Sequence, residues 1–144
     1  MATLHWNDEW GLGLADPDAN RRELVGLYNE IDLALRRGDE RQRLVAGLTR
    51  LLERAECIFE EEEEIMLVAG YPMWPEHRDE HRDFIQRMRT FEQALDEGRL
   101  QIDLPVMQFL KHWLSGHLDE SDNAFGRFLA RSPEALQAIS LQPA

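Results

Sequence analysis

Apolar residues recur at alternating steps of four and three in four stretches of the chain, the spacing of a buried helical stripe rather than of a strand. The first stripe is Leu24, Tyr28, Ile31 and Leu35. It lies in a helix expected from Asp16-Pro17, with Asp16 as its cap, to about Arg37, with Gly38 as its stop. The second runs Leu44, Leu48, Leu51, Ala55, Ile58, Glu62, Ile65 and Ala69, in a helix from about Glu40 that Gly70-Tyr71-Pro72 ends. The third is His77, His81, Phe84, Met88, Phe91 and Leu95, between Pro75 and Gly98. The fourth, from near Pro105 with Asp103 as cap to about Ala130, presents Val106, Leu110, Trp113, His117, Ala124 and Phe128. Short connections between four such helices predict an all-α, antiparallel up-down-up-down four-helix bundle. The chain reads as a single domain over residues 1–144. Residues 1–15, with Trp6 and Trp10, form an irregular arm over one end, residues 16–130 form the bundle, and residues 131–144 form a tail with a short helix from Ser132-Pro133.

The polar residues that interrupt these stripes carry the chemistry. Glu62, His77, His81 and His117 sit on apolar seams, and stepping back three residues from Leu24 puts Arg21 on the first seam. In an antiparallel bundle all five fall at the same end. Burying charge is costly unless it is paired or bound to metal, so their agreement across four helices points to one site. His77 and His81, four apart, project from one helical face. With His117 and Glu62 they make a candidate site for a divalent metal such as iron, manganese or zinc. Asp122 is a second candidate carboxylate. Five residues after His117 it lies about 140° around an ideal α-helix, so it is expected to reach in from the side.

Composition narrows the partners. A net charge of −12 and a pI of about 4.8 argue against nucleic acid and anionic membranes. No apolar run is long enough for a membrane helix and no signal peptide is evident. Cys57 is the single cysteine, read as a small buried hydrophobe, so a reducing cytoplasm is the expected location. The acidic run Glu60–Glu64 reads as a solvated face, apart from Glu62. His112 is expected to be exposed.

Several segments resemble bacterial hemerythrins. These are Glu62-Glu63-Glu64-Ile65-Met66, Gly70-Tyr71-Pro72, His77-x-x-x-His81 and Phe109-Leu110-Lys111-His112-Trp113-Leu114-x-x-His117-x-x-x-x-Asp122. Trp6, Gly13, Asp18-x-x-Arg21-x-x-Leu24 and Asn29 extend the likeness over residues 6–130. The resemblance implies a four-helix bundle with a di-iron centre that binds O2. His77, His81 and His117 would hold one iron, and Glu62 and Asp122 would bridge both. The family pattern has further histidines where this chain has Arg21 and Ile58, and by resemblance those hold the second iron.

A guanidinium is a permanent cation whose planar fork suits carboxylates. Arg21 is therefore expected to replace the second metal, with Ile58 filling the remaining space. That leaves one iron and a ligand such as O2, nitric oxide, superoxide or peroxide at an open position. Three alternatives stand beside this reading. Cys57 and Glu61 could turn inward as substitute ligands of a two-iron site, the cluster could be a metal-free structural or sensor variant, or His77 and His81 could be surface residues. No protein partner and no enzymatic reaction is assigned.

Overall fold

The computed structural model describes residues 3–141. Helix α1 spans Ala15–Arg36, α2 Arg41–Ala69, α3 Trp74–Asp96 and α4 Leu104–Gly116. A π-helical turn, His117–Asp122, joins α4 to α5, Asn123–Ala130, and α6 spans Pro133–Ser140. The described residues are helical and unstranded, and α1, α2, α3 and α4–α5 form the expected antiparallel bundle. No helix among them is long and apolar enough to cross a membrane.

The turn between α2 and α3 shows how local sequence positions the site. Gly70 adopts φ 69°, a left-handed conformation that costs other residues more. Gly70 N–H donates to Leu67 O (3.1 Å) and Tyr71 N–H to Met66 O (3.0 Å), closing the carbonyls at the end of α2. Tyr71 packs on Phe125 and Phe128, with ring centroids 4.9 and 5.1 Å away. This short turn sets Glu62 opposite His77.

Helix α1 starts differently from expectation. Its cap position is Leu14, without a side-chain cap, and Asp16 caps nothing. Asp18 instead accepts from Leu12 N–H (2.6 Å) and Gly13 N–H (3.1 Å), fastening the arm to the helix. Nor does the arm merely cover one end. Leu4 exchanges two hydrogen bonds with Asn29 (2.8 and 2.7 Å), and Trp10 donates to Asp119 (3.2 Å). It therefore runs antiparallel to α1 and reaches the π turn. Residues 1–2 of the arm and 142–144 of the tail lie outside the described residues. As expected, Asp103 and Ser132 cap their helices.

Two apolar clusters fill the bundle. The larger includes Tyr28, Leu48, Leu52, Ile58, Phe59, Phe84, Met107, Leu114 and Leu118. The smaller gathers Leu12, Met66, Ala69, Phe125, Leu129 and Ala135 under α6. Glu62 falls between Phe59 and Met66, and Asp122 between Leu118 and Phe125. The polar residues thus form a layer between the two clusters. Of the face predicted for the fourth helix, Leu110 and His117 are buried, but Met107, Leu114, Phe125 and Leu129 point in while Val106, Trp113, Ala124 and Phe128 are only half-buried. The π turn adds one residue to a helical turn, so every position after it moves one step along the face.

That register makes a prediction. Truncating fully buried Phe125 to alanine should cost about 3–5 kcal/mol in urea unfolding, and Phe128→Ala distinctly less. An uninterrupted α-helix would reverse that order.

Candidate metal centre

Helices α1, α2, α3 and the π turn each send polar side chains into the layer between the clusters. Arg21, Glu62, His77, His81, His117 and Asp122 are all buried, each no more than 4% exposed. Glu62, His77, His81, His117 and Asp122 each direct one donor atom to a common point, and these atoms lie within 4.8 Å of one another. His77 Nε2 is 2.6 Å from Glu62 Oε1 and 3.1 Å from Asp122 Oδ1. His117 Nε2 is 2.9 Å from His81 Nε2 and 3.2 Å from Asp122 Oδ1. His81 Nε2 lies 3.6 Å from Glu62 Oε1.

Asp122 does not reach in from the side. In the π turn the hydrogen bonds run i to i+5, so residues five apart stack on one face. The turn therefore brings His117 and Asp122 onto the same seam. Its presence explains what an ideal α-helix could not.

The outward faces of the imidazoles are held too. His81 Nδ1 lies 3.0 Å from Glu63 Oε2, and His117 Nδ1 lies 2.9 Å from Glu80 Oε1. Ser121 Oγ donates to both oxygens of Glu80, at 2.8 Å each. Phe59 stacks on His81 with centroids 3.9 Å apart, and Trp113 stacks on His117 at 4.7 Å. Glu63 and Glu80 were not predicted. Glu63 corrects the reading of Glu60–Glu64 as solvated apart from Glu62. Nothing in the spacing of Glu80 on α3 signals its contact with His117 across the bundle.

The carboxylates divide their oxygens. Glu62 Oε1 and Asp122 Oδ1 face the imidazoles. Glu62 Oε2 and Asp122 Oδ2 face Arg21, at 3.1 Å from its Nη2 and 2.8 Å from its Nε. Arg21 Nη1 donates to Pro17 O (3.2 Å). Ile58 is buried as expected, and Arg21, Ile58 and Glu62 border one cleft of about 430 Å³ between α1 and α2. Cys57 is exposed, which corrects its assignment to the core. Glu61 is exposed as well and accepts from Asn20 (2.8 Å). Neither turns inward towards the buried layer. His112 is exposed, as expected.

The electrostatics follow from burial opposed by partners. Burial pushes Arg21 down, but Asp122 and Glu62 outweigh it and hold the guanidinium firmly charged. Burial pushes Asp122 up, but Arg21 and His117 hold it well below its usual range. Burial raises Glu62 despite Arg21. Burial and the neighbouring imidazoles, His117 first, push His81 far down. For His117, burial is overcome by Asp122, Glu80 and Glu62, and its pKa is raised to about 10. His77 is likewise raised, burial being outweighed by Asp122 and Glu62. The neighbouring acids thus favour a proton on His117, while burial and the other imidazoles favour neutral His81.

The donor set could hold a metal ion. Ligand atoms about 2.1 Å from a metal and at right angles are about 3 Å apart, close to most separations here. With Nδ1 of His81 and His117 held by carboxylates, their Nε2 lone pairs converge, an arrangement met at histidine–metal sites. Asp122 Oδ1 is buried and accepts no well-formed hydrogen bond, as suits an oxygen awaiting a cation.

Comparison with known proteins agrees with this geometry. Residues 18–129 match the family described as the hemerythrin HHE cation binding domain. The chain belongs to the hemerythrin family. A bacteriohemerythrin of Stenotrophomonas maltophilia (strain R551-3) is 28% identical over 127 residues, covering 87% of this chain and 80% of that protein. A bacteriohemerythrin of Clostridium acetobutylicum is 27% identical over 124 residues, covering 83% and 96%. Among solved structures, a wild-type hemerythrin crystal structure superposes with a TM-score of 0.79 at 21% identity, covering 86% of this chain and 95% of that one. That structural likeness establishes the fold. Hemerythrins are a non-haem iron-binding family, and this member has a candidate metal site of glutamate, histidine and aspartate.

The pKa directions predict a pH dependence. In metal-stripped protein, raised His117 and His77 add stability that is full below about pH 6.5, the unfolded value. It is lost as pH climbs, for His117 through about 10. The thermal advantage of the native protein over His117→Asn should therefore shrink steadily from about pH 6 to above pH 10. An advantage that grows with pH would contradict a charged His117.

Proposed function

We propose that this hemerythrin-family chain holds one iron, coordinated by His77, His81, His117, Glu62 and Asp122, and that Arg21 stands in for the second. The observation that carries the reading is the division of the carboxylate oxygens. One oxygen of each acid meets the imidazoles and the other meets the guanidinium. A bridging carboxylate needs a cation on each side, and Arg21 supplies one with a planar fork that matches two acids. Two metals in one site sit about 3.5–4 Å apart, and the donor set here has the extent of a single coordination sphere. Ile58 puts apolar volume where the resemblance would have a histidine.

A bound iron supplies a Lewis-acidic redox ion with an open position for a small diatomic or peroxide ligand. The chain's own residues fix the surroundings of that position. Phe59 and Trp113 cover two of the imidazoles and exclude water from their faces. Glu63 and Glu80 fix the tautomers of His81 and His117 with Nε2 inward. Burial of Arg21 keeps a positive charge beside both acids and weakens their donation to the iron. Hemerythrins bind O2, but the family's reversible binding draws on two irons, so nitric oxide and superoxide are the ligands that best suit this site. An exposed single cysteine and the acidic surface suit a reducing cytoplasm, where no nucleic-acid or membrane partner is implied.

The test is to restore the missing ligands. Arg21→His together with Ile58→His should raise cobalt(II) uptake from about one ion per chain towards two, read by metal analysis after desalting. If both proteins take up the same amount, the second position does not lie where Arg21 and Ile58 stand.

A further inference from the structure

The π turn is what puts Asp122 on the same face as His117, yet a π turn is an uncommon and poorly favoured piece of helix. Something must hold it. The side chain that meets it is Glu80, one turn after His77 on α3. One oxygen, Oε1, lies 2.9 Å from His117 Nδ1 and 2.8 Å from Ser121 Oγ, while Oε2 is also 2.8 Å from Ser121 Oγ. His117 opens the π turn and Ser121 is its penultimate residue. A single carboxylate therefore grips both ends of the turn from the neighbouring helix. Hydrogen bonds to a charged acceptor are about twice as strong as neutral ones.

On the far side the turn is held less directly. Trp10 of the arm donates to Asp119, at 3.2 Å. Asp119 is itself exposed and points away from the metal layer. The grip that orients metal-facing atoms is that of Glu80.

We propose that Glu80 is a positioning residue of the metal centre. By clasping His117 and Ser121 it fixes the π turn, and so places His117 Nε2 and Asp122 Oδ1 together. Glu80 is not among the five residues whose donor atoms converge. Its role rests on the reading of the five buried residues as metal ligands, and it extends that reading to a residue outside them.

The experiment titrates cobalt(II) into the full-length protein and records both affinity and the visible d–d spectrum, which reports coordination geometry. Circular dichroism and thermal melting of the metal-free proteins check that each variant folds. Glu80→Ala should weaken cobalt binding about 10–100-fold and alter the spectrum. Ser121→Ala should weaken it less, because His117 keeps its partner. The double variant Glu80→Ala/Ser121→Ala should bind about as Glu80→Ala does, since Ser121 acts only through Glu80. Glu80→Gln keeps an acceptor for His117 Nδ1 and should recover most of the affinity and the native spectrum. Exposed Glu120→Ala, which removes an equal charge from the same turn, should leave both unchanged.

Two results overturn the proposal. One is a folded Glu80→Ala protein with native affinity and spectrum. The other is a loss in Glu120→Ala equal to that in Glu80→Ala, which would make the effect one of surface charge. Failure of the native protein to bind cobalt at all would instead strike the metal-site reading, so the two failures are distinguishable.

Discussion

Two carboxylates buried between apolar clusters cannot remain there with charges uncompensated, and the rest of this layer is arranged around that constraint. Glu62 and Asp122 are almost wholly inaccessible, and removing one partner of such a buried pair typically costs about 3–5 kcal/mol. The chain meets the requirement from two directions. Arg21 compensates the oxygens that face α1. The imidazoles of His77 and His117 meet those that face α3 and the π turn. The same acids are thus held in place whether or not a cation is present, while their inward oxygens remain directed at one point.

This arrangement relates the chain to its family in a specific way. The chain shares the fold of the hemerythrins. By resemblance, His77, His81, His117, Glu62 and Asp122 correspond to ligands of the family's centre. On one side of the acids, between α1 and α2, stand a guanidinium and an isoleucine, Arg21 and Ile58, where the resemblance has histidines. A permanent organic cation cannot be oxidised or exchanged. On the one-iron proposal, such a site would retain the electrostatics of a two-cation centre with the redox capacity of one ion.

Much of this was legible in the chain before any coordinates. Alternating steps of four and three locate Glu62, His77, His81 and His117 on buried faces, because burial on a helix follows its period. Arg21 could be placed by the same rule, and its burial was the informative exception. Asp122 could be named but not positioned. Helical-face arithmetic assumes 3.6 residues per turn, and no residue type between His117 and Asp122 announces a π turn. The same shift misplaced Ala124 and Phe128 in favour of Phe125 and Leu129. Glu63 and Glu80 were hidden for another reason. Acidic residues on a helix ordinarily face solvent, and only the three-dimensional approach of α2, α3 and the π turn shows that these two reach imidazole nitrogens. Cys57 was misread because its residue type favours burial while its helical position, one before Ile58, faces outward.

The central claim is that Arg21 occupies the place of a second metal. The most direct measurement is the iron content per chain of protein loaded anaerobically with ferrous iron and desalted, read by mass spectrometry, with the absorption spectrum taken before and after exposure to air. The account predicts about one iron per chain and no oxygenated di-iron charge-transfer band. About two irons per chain with that band would contradict it.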